Sequence, residues 1–275
     1  MQRRSPLAFG LALAASAALI LTGCASGGNG DGGDPSAAPT GDDFDLVRAG
    51  TLTVCSEIPY PPFEVEDASS PSGYSGFDID LITAIAESLD LEIAIQPSGF
   101  DGLQSGTTLL AGTCDIAASA MTITEERKAN IDFTDPYYDS LQSLLVRADS
   151  GITSIEDLSG KNVAVQQGTT GEAYAKENAP ADATLVSYPG DGEMWPAIQA
   201  GNVDAILQDQ PVNIEHERAD GTYIIVEEYD TEEQYGFALA KGEKAALLAA
   251  VNAALAQLRS DGTYQEIYDT YFSAN

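Results

Sequence analysis

Ser119-Ala120-Met121-Thr122-Ile123-Thr124-Glu125-Glu126-Arg127 ends a small-residue apolar run in hydroxyls and sets one arginine just beyond. Thr122 brings a hydroxyl and, where strand pairing stops, a backbone N–H. The Arg127 guanidinium can take a carboxylate in two parallel charge-assisted bonds. Read alone, the segment also fits an N-capped helix start with acids in its first turn and a solvated arginine. A second group suited to an anion is Gln167-Gly168-Thr169-Thr170, where a helix opens after a clear strand: its first N–H groups lack helical partners, and Gly168 permits close approach. Catalytic signals are sparse. The one histidine, His216, sits in an acid-rich helix and reads as a surface residue, and neither a Gly-x-Ser-x-Gly elbow, a phosphate loop nor metal-ligand spacing is present.

The elements that must position these groups alternate. Thr51 to Ser56 reads as a strand, Asp78 to Leu89 as a helix, Leu91 to Ile95 as a strand, Leu103 to Ala111 as a helix and Asp115 to Ala120 as a strand. A second series follows: strand Asn162 to Gln166, helix Gly171 to Asn178, strand Thr184 to Ser187, helix Met194 to Ala200, strand Val203 to Leu207, helix Val212 to Arg218. Both series read as parallel βαβ units, so the fold class is α/β. Extended crossings at Leu141 to Val146 and Tyr235 to Ala240 imply two lobes, 44–140 plus 235–275 and 141–234, with helices Lys244 to Arg259 and Tyr264 to Tyr271 returning to the first. Ligands of open parallel sheets collect beyond the carboxyl ends of strands, which is where Glu57 to Tyr60, Ala120 to Thr122, Gln166 to Thr170 and Asp209 fall.

The start of the chain has its own character. Met1-Gln2-Arg3-Arg4 followed by the apolar run Leu7 to Leu21 reads as a signal peptide over residues 1–23. Leu21-Thr22-Gly23-Cys24 resembles the lipobox of bacterial lipoproteins, which makes Cys24 the expected lipidated residue. Residues 24–43 are that cysteine and a Gly/Ser/Pro/Asp tether, expected to hold the folded part on the order of 25 Å from its anchor. The formal charge of −31 disfavours nucleic acid as a partner. Cys55 and Cys114 remain as an even pair in an oxidising compartment; a bridge and two free thiols are both open readings, because parallel strands could hold the sulfurs apart.

Tyr60-Pro61-Pro62-Phe63-Glu64, Gly76-Phe77-Asp78-Ile79-Asp80, Met121 to Arg127, Ile131-Asp132-Phe133-Thr134-Asp135-Pro136-Tyr137-Tyr138, Gln167 to Thr170 and Asp261-Gly262-Thr263-Tyr264 stand in an order that resembles the family 3 extracellular solute-binding proteins. These are the polar amino-acid receptors of ABC importers, and the glutamine and lysine/arginine/ornithine/histidine receptors are the most similar. The likeness runs from about Gly50 to Phe272. It implies a two-lobed periplasmic-binding-protein-like fold of type II, with two hinge crossings and a ligand cleft that shuts like a flytrap. By resemblance, Arg127 takes the ligand α-carboxylate with the backbone of Thr122 and of Thr169 or Thr170. Asp209 takes the α-ammonium with the Ala120 carbonyl and the Thr122 hydroxyl, and Ser119 belongs to the same strand end. Tyr60 and Phe100 sandwich the aliphatic part, while Glu57, Gln166, Gln208 and Gly171 set specificity. Glu57 stands where relatives aim an aspartate, so a donor-bearing side chain is expected: arginine, lysine, ornithine, histidine or glutamine. Glutamate would meet a like charge. The resemblance further implies no cofactor and no metal, a membrane permease as partner, a monomer, and a place outside the cytoplasm on a lipid anchor.

Two other classes compete with a transport receptor. A secreted dehydratase on the same fold could use Glu57 as a buried acid, although the sequence lacks other catalytic equipment. An amino-acid sensor domain would be expected to carry a membrane helix and a kinase, and neither is in the sequence. Trp195 reads as a packed helix residue.

Overall fold

The computed structural model describes residues 44–273. The signal peptide, Cys24 and the tether lie outside the described residues. The first half of the described chain builds one sheet. Strand β1 is Thr51–Ser56, followed by the short hairpin β2 (Val65–Glu66) and β3 (Tyr74–Ser75), helix α1 (Phe77–Ser88), β4 (Glu92–Pro97), α2 (Phe100–Gln104), α3 (Thr107–Leu110), β5 (Ile116–Ala117), α4 (Glu125–Lys128) and β6 (Ile131–Phe133). The chain then crosses in β7 (Tyr138–Arg147), passes a 3-10 turn at Ile155–Leu158, and alternates through β8 (Asn162–Gln166), α5 (Thr170–Asn178), β9 (Thr184–Tyr188), α6 (Asp191–Gln199), β10 (Ala205–Asp209) and α7 (Gln210–Ala219). Strand β11 (Tyr223–Tyr235) leads back, and β12 (Ala238–Ala240), α8 (Ala245–Asp261) and α9 (Thr263–Phe272) complete the first lobe.

The sheets have the orders β4-β1-β5-β12-β6 and β11-β7-β10-β8-β9. In each, all strands but one point the same way, and the exception is the strand that has just crossed from the other lobe: β12 in the first, β7 in the second. The crossings are therefore not bare linkers. β7 and β11 pair antiparallel from Tyr223↔Arg147 to Tyr235↔Tyr138, so the hinge is a two-stranded ribbon continuous with the second sheet. Main-chain bonds from Ile123 to Gln234 and from Gly236 to Met121 stitch the strand end after β5 to the same ribbon.

Burial explains why these segments are strands. In β7, β8 and β10 both faces are covered: Leu144, Val146, Val163, Val165 and Leu207 pack on one side, and Leu145, Ala164 and Ile206 on the other. Such near-continuous apolar runs are what parallel sheets between helices require. The first lobe is centred on aromatic rings. Phe77 meets Tyr264, Tyr268 and Phe272 of α9 edge-on at ring separations of 5.9, 5.9 and 5.1 Å. Leu247, Val251 and Leu255 of α8, at i, i+4 and i+8, add roughly 1.5–3 kcal/mol each on burial.

Several expectations need correction. The helix expected over Leu103 to Ala111 is broken into α2 and α3 at Gly106, whose φ is 80° and where an added Cβ would stand 2.8 Å from Ile131 Cγ2. The strand expected over Asp115 to Ala120 pairs only at Ile116–Ala117; Asp115 turns its carboxylate to the N–H groups of Val47 and Thr53 at 2.8 and 2.9 Å. The cysteine question resolves as a Cys55–Cys114 disulfide with Cα atoms 5.7 Å apart. Because Cys114 lies before β5 rather than within it, the separation of paired parallel strands does not apply. His216 is not a surface residue. It is 5 % exposed, stacked on Trp195 with ring centroids 4.1 Å apart and bonded through Nε2 to Asp191 at 2.8 Å.

Candidate functional site

The carboxyl ends of β1, β5, β8 and β10 meet around one cavity. Glu57, Tyr60, Phe100, Ser119, Ala120, Thr122, Arg127, Gln166, Thr169, Thr170 and Asp209 line it, and with the cleft shut its free space is about 10 Å³, room for one water. Three residues expected at the site do not line the cavity. Gly168 lines the adjoining opening on the far side of Arg127. The Gln208 amide points away into the second lobe, bonding to Asp191 at 2.9 Å and Asn213 at 3.0 Å. Side chains alternate faces along a strand, so Gln208 and Asp209 cannot both face the cleft from β10. Gly171 packs against the Gln208 backbone, where a Cβ would also stand 2.7 Å from Gln142 Oε1.

Both readings of the Thr124–Arg127 segment hold in part. Thr124 does cap α4, accepting from the Arg127 N–H at 3.1 Å, but the arginine is 5 % exposed rather than solvated. Its Nη1 donates to the Thr122 carbonyl at 2.8 Å and its Nη2 to the Gly168 carbonyl at 3.0 Å, and the guanidinium lies over the Phe100 ring at 5.2 Å. Burial lowers its pKa, opposed by the fields of Asp209 and Glu233. Among the described residues no carboxylate makes an ion pair with it. A buried cation held by carbonyls and a ring is costly until an anion joins it.

Facing Arg127 are two buried acids. Asp209 ends β10 and accepts from Tyr60 and Tyr235 hydroxyls at 2.9 and 2.5 Å and from Gln142 Nε2 at 2.5 Å. Burial, and then the charge of Glu233, push its carboxyl up to about 6 despite those donors. Glu233, on the hinge strand β11, accepts from the Thr122 and Thr170 hydroxyls at 2.7 Å each and from Thr231 at 2.9 Å. Sequence reasoning missed Glu233, Gln142 and Tyr235. Glu233 ends the acidic run Glu227 to Glu233, which reads as a solvated edge, and only its pairing against the first lobe buries it.

At another point of the cavity Glu57 accepts from Gln166 Nε2 at 2.6 Å. Burial raises its carboxyl to about 8; the Gln166 bond opposes the shift, and Asp191 and Glu193 add to it. Glu57–Gln166, Tyr60–Asp209, Arg127–Gly168 and Thr122–Thr170 each join one lobe to the other, so the cleft is drawn shut by its own lining. The arrangement offers a cation for a carboxylate, anions for an ammonium, two aromatic faces for a hydrocarbon stem, and an acid for a donor at its tip.

Comparison with known proteins places the chain in a family. The chain is 31% identical over 233 residues to the L-cystine-binding protein of Escherichia coli (strain K12), covering 84% of this chain and 85% of that one. It is 34% identical over 229 residues to the L-arginine-binding protein of Pseudomonas aeruginosa, covering 79% and 86%. The solved structure of an ancestral arginine-binding protein bound to glutamine superposes with a TM-score of 0.76 at 37% identity, covering 82% of this chain and 99% of that one. Residues 52–274 match the bacterial extracellular solute-binding proteins, family 3, and the chain belongs to that family.

Proposed function

We propose that this chain captures one polar or cationic amino acid, among arginine, lysine, ornithine, histidine and glutamine, and presents it to the permease of an ABC importer. The observation that carries the reading is Arg127: buried, held by carbonyls, in the fields of Asp209 and Glu233, and lining the same cavity as Asp209. Its guanidinium takes the α-carboxylate, and Asp209 with the Ala120 carbonyl and Thr122 hydroxyl takes the α-ammonium. Tyr60 and Phe100 flank the stem, and Glu57 with Gln166 receives the side-chain donor. The lobes 44–140 plus 235–275 and 141–234 separate to admit the ligand and close over it, and the ligand leaves unchanged. Similarity to receptors for cystine and arginine supports the class of ligand. We place the protein outside the cytoplasm as a monomer anchored through a lipidated Cys24.

A thermal-shift panel of these amino acids with glutamate and cystine, followed by mass analysis of the ligand recovered after long incubation, tests the reading. Stabilisation by one member, recovered at its original mass, is the expected result. A product lighter by water would establish a dehydratase instead.

A further inference from the structure

The least satisfied polar atoms of the described residues lie behind the cleft. Glu64 and Asp78 are both fully buried, and Glu64 Oε1, Glu64 Oε2 and Asp78 Oδ1 lack any hydrogen-bond partner. Asp78 Oδ2, by contrast, accepts from the Tyr137 hydroxyl at 2.6 Å and from the Ala120 N–H at 2.9 Å. The Asp78 N–H bonds the carbonyl of Phe63 at 3.2 Å, which sets Asp78 beside the neighbouring Glu64, and a bond between the two carboxyl groups requires one of them to carry a proton. Among the described residues no cation acts on either acid. Glu57 acts on Glu64 through space, Tyr137 adjoins both acids, and Tyr264 lies beyond it. Two neighbouring buried carboxyl groups in such a setting cannot both ionise.

We propose that Glu64 and Asp78 hold one proton between them, and that this pair positions the Ala120 peptide at the rim of the ligand cavity. Ala120 has φ 42°, the left-handed region that a side chain disfavours, so something outside the residue must hold it there. Its N–H is fixed by Asp78 Oδ2, and Asp78 is fixed by Tyr137 on one side and the proton shared with Glu64 on the other. Ala120 lines the cavity, and its carbonyl is the expected acceptor for the ligand ammonium. That consequence rests on the proposed function; the shared proton does not.

Burial raises the Glu64 carboxyl well above the usual range and Asp78 to about 6. An unfolded chain gives up both protons near the ordinary carboxylate values. The stability due to the pair is therefore complete below them and is lost as pH rises through the folded values. Glu64→Gln and Asp78→Asn each replace the proton with an amide N–H that cannot dissociate. In ligand-free wild type, ¹³C carboxyl resonances should show one group of the pair still protonated at neutral pH. The alkaline fall of the denaturation midpoint should flatten in both single variants, and Glu64→Gln should bind ligand within about threefold of wild type at neutral pH. Glu64→Leu, which leaves Asp78 without its proton donor, should lose about tenfold in affinity.

Two ionised resonances at neutral pH, or unchanged alkaline limbs in both amide variants, would overturn the proposal. If a variant does not fold, the wild-type resonances decide alone. An Arg127→Ala protein that bound as tightly as wild type would count against the cleft reading and leave the carboxyl result standing.

Discussion

Glu57 keeps its proton to about pH 8 because burial against Gly190 and the acids Asp191 and Glu193 leaves only Gln166 to stabilise its anion. A cationic ligand tip would restore what burial removed and expel that proton, whereas an amide tip has no such demand. Binding of arginine or lysine near pH 7 should therefore release close to one proton, read as a calorimetric enthalpy that varies with the ionisation heat of the buffer. Affinity for the cation should rise with pH until about 8 and then level off. Glutamine should release almost none, and Glu57→Gln should abolish the release. The same residue shows what single positions could tell from sequence. Arg127, Asp209 and Glu57 were legible because each ends a strand or opens a helix beside a recognisable motif. Gln208 was misassigned because one residue of strand register decides which face it takes, and His216 because its burial depends on Asp191 and Trp195, which are distant in the chain.

At the scale of elements, the hinge ribbon carries more than connection. Glu233 of β11 bonds Thr122 of the first lobe and Thr170 of the second, and shares Gln142 with Asp209. Because both hydroxyls donate to it, their lone pairs are left to accept from an ammonium. Glu233→Gln should cost roughly 1.5–3 kcal/mol of binding, about one to two decades in Kd, with little change in the fold. The disulfide acts on another element: it ties the end of β1 to the loop before β5 across 59 residues. Chain-entropy arguments give it about 4 kcal/mol. Cys55→Ser with Cys114→Ser should lower the unfolding free energy by that amount and leave Kd within about threefold, measured by chemical denaturation and calorimetry. The β1, β8 and α7 segments were readable because their apolar periods are long and bounded. The first crossing was read as extended but not as a sheet strand, and β11 was not read at all, since β7 becomes a strand by pairing with β11 and β10, and β11 by pairing with β7, contacts that no local pattern encodes.

For the whole molecule, an acidic surface and a closed cleft have separate consequences. The chain's net charge of −31 is screened beyond about 8 Å in physiological salt, so it does little to the site itself. The cleft matters through linkage. Arg127, Glu57, Tyr60 and Thr122 already touch the opposite lobe, and a ligand that replaces those contacts with charge-assisted ones stabilises only the closed form. At a ligand concentration of a hundred times Kd the native state should gain about 2.7 kcal/mol against unfolding. A flat melting temperature across saturating amino acids would contradict that.

The most direct measurement is isothermal titration of residues 42–275, freed of co-purified ligand, with arginine, lysine, ornithine, histidine, glutamine, glutamate and cystine, repeated on Arg127→Ala. One-to-one binding of one polar or cationic amino acid, weakened at least about a hundredfold by the loss of two charge-assisted bonds, is the expected result. Equal binding by Arg127→Ala, or heat from none of the seven, would contradict the claim that this cleft holds a zwitterion by its carboxylate.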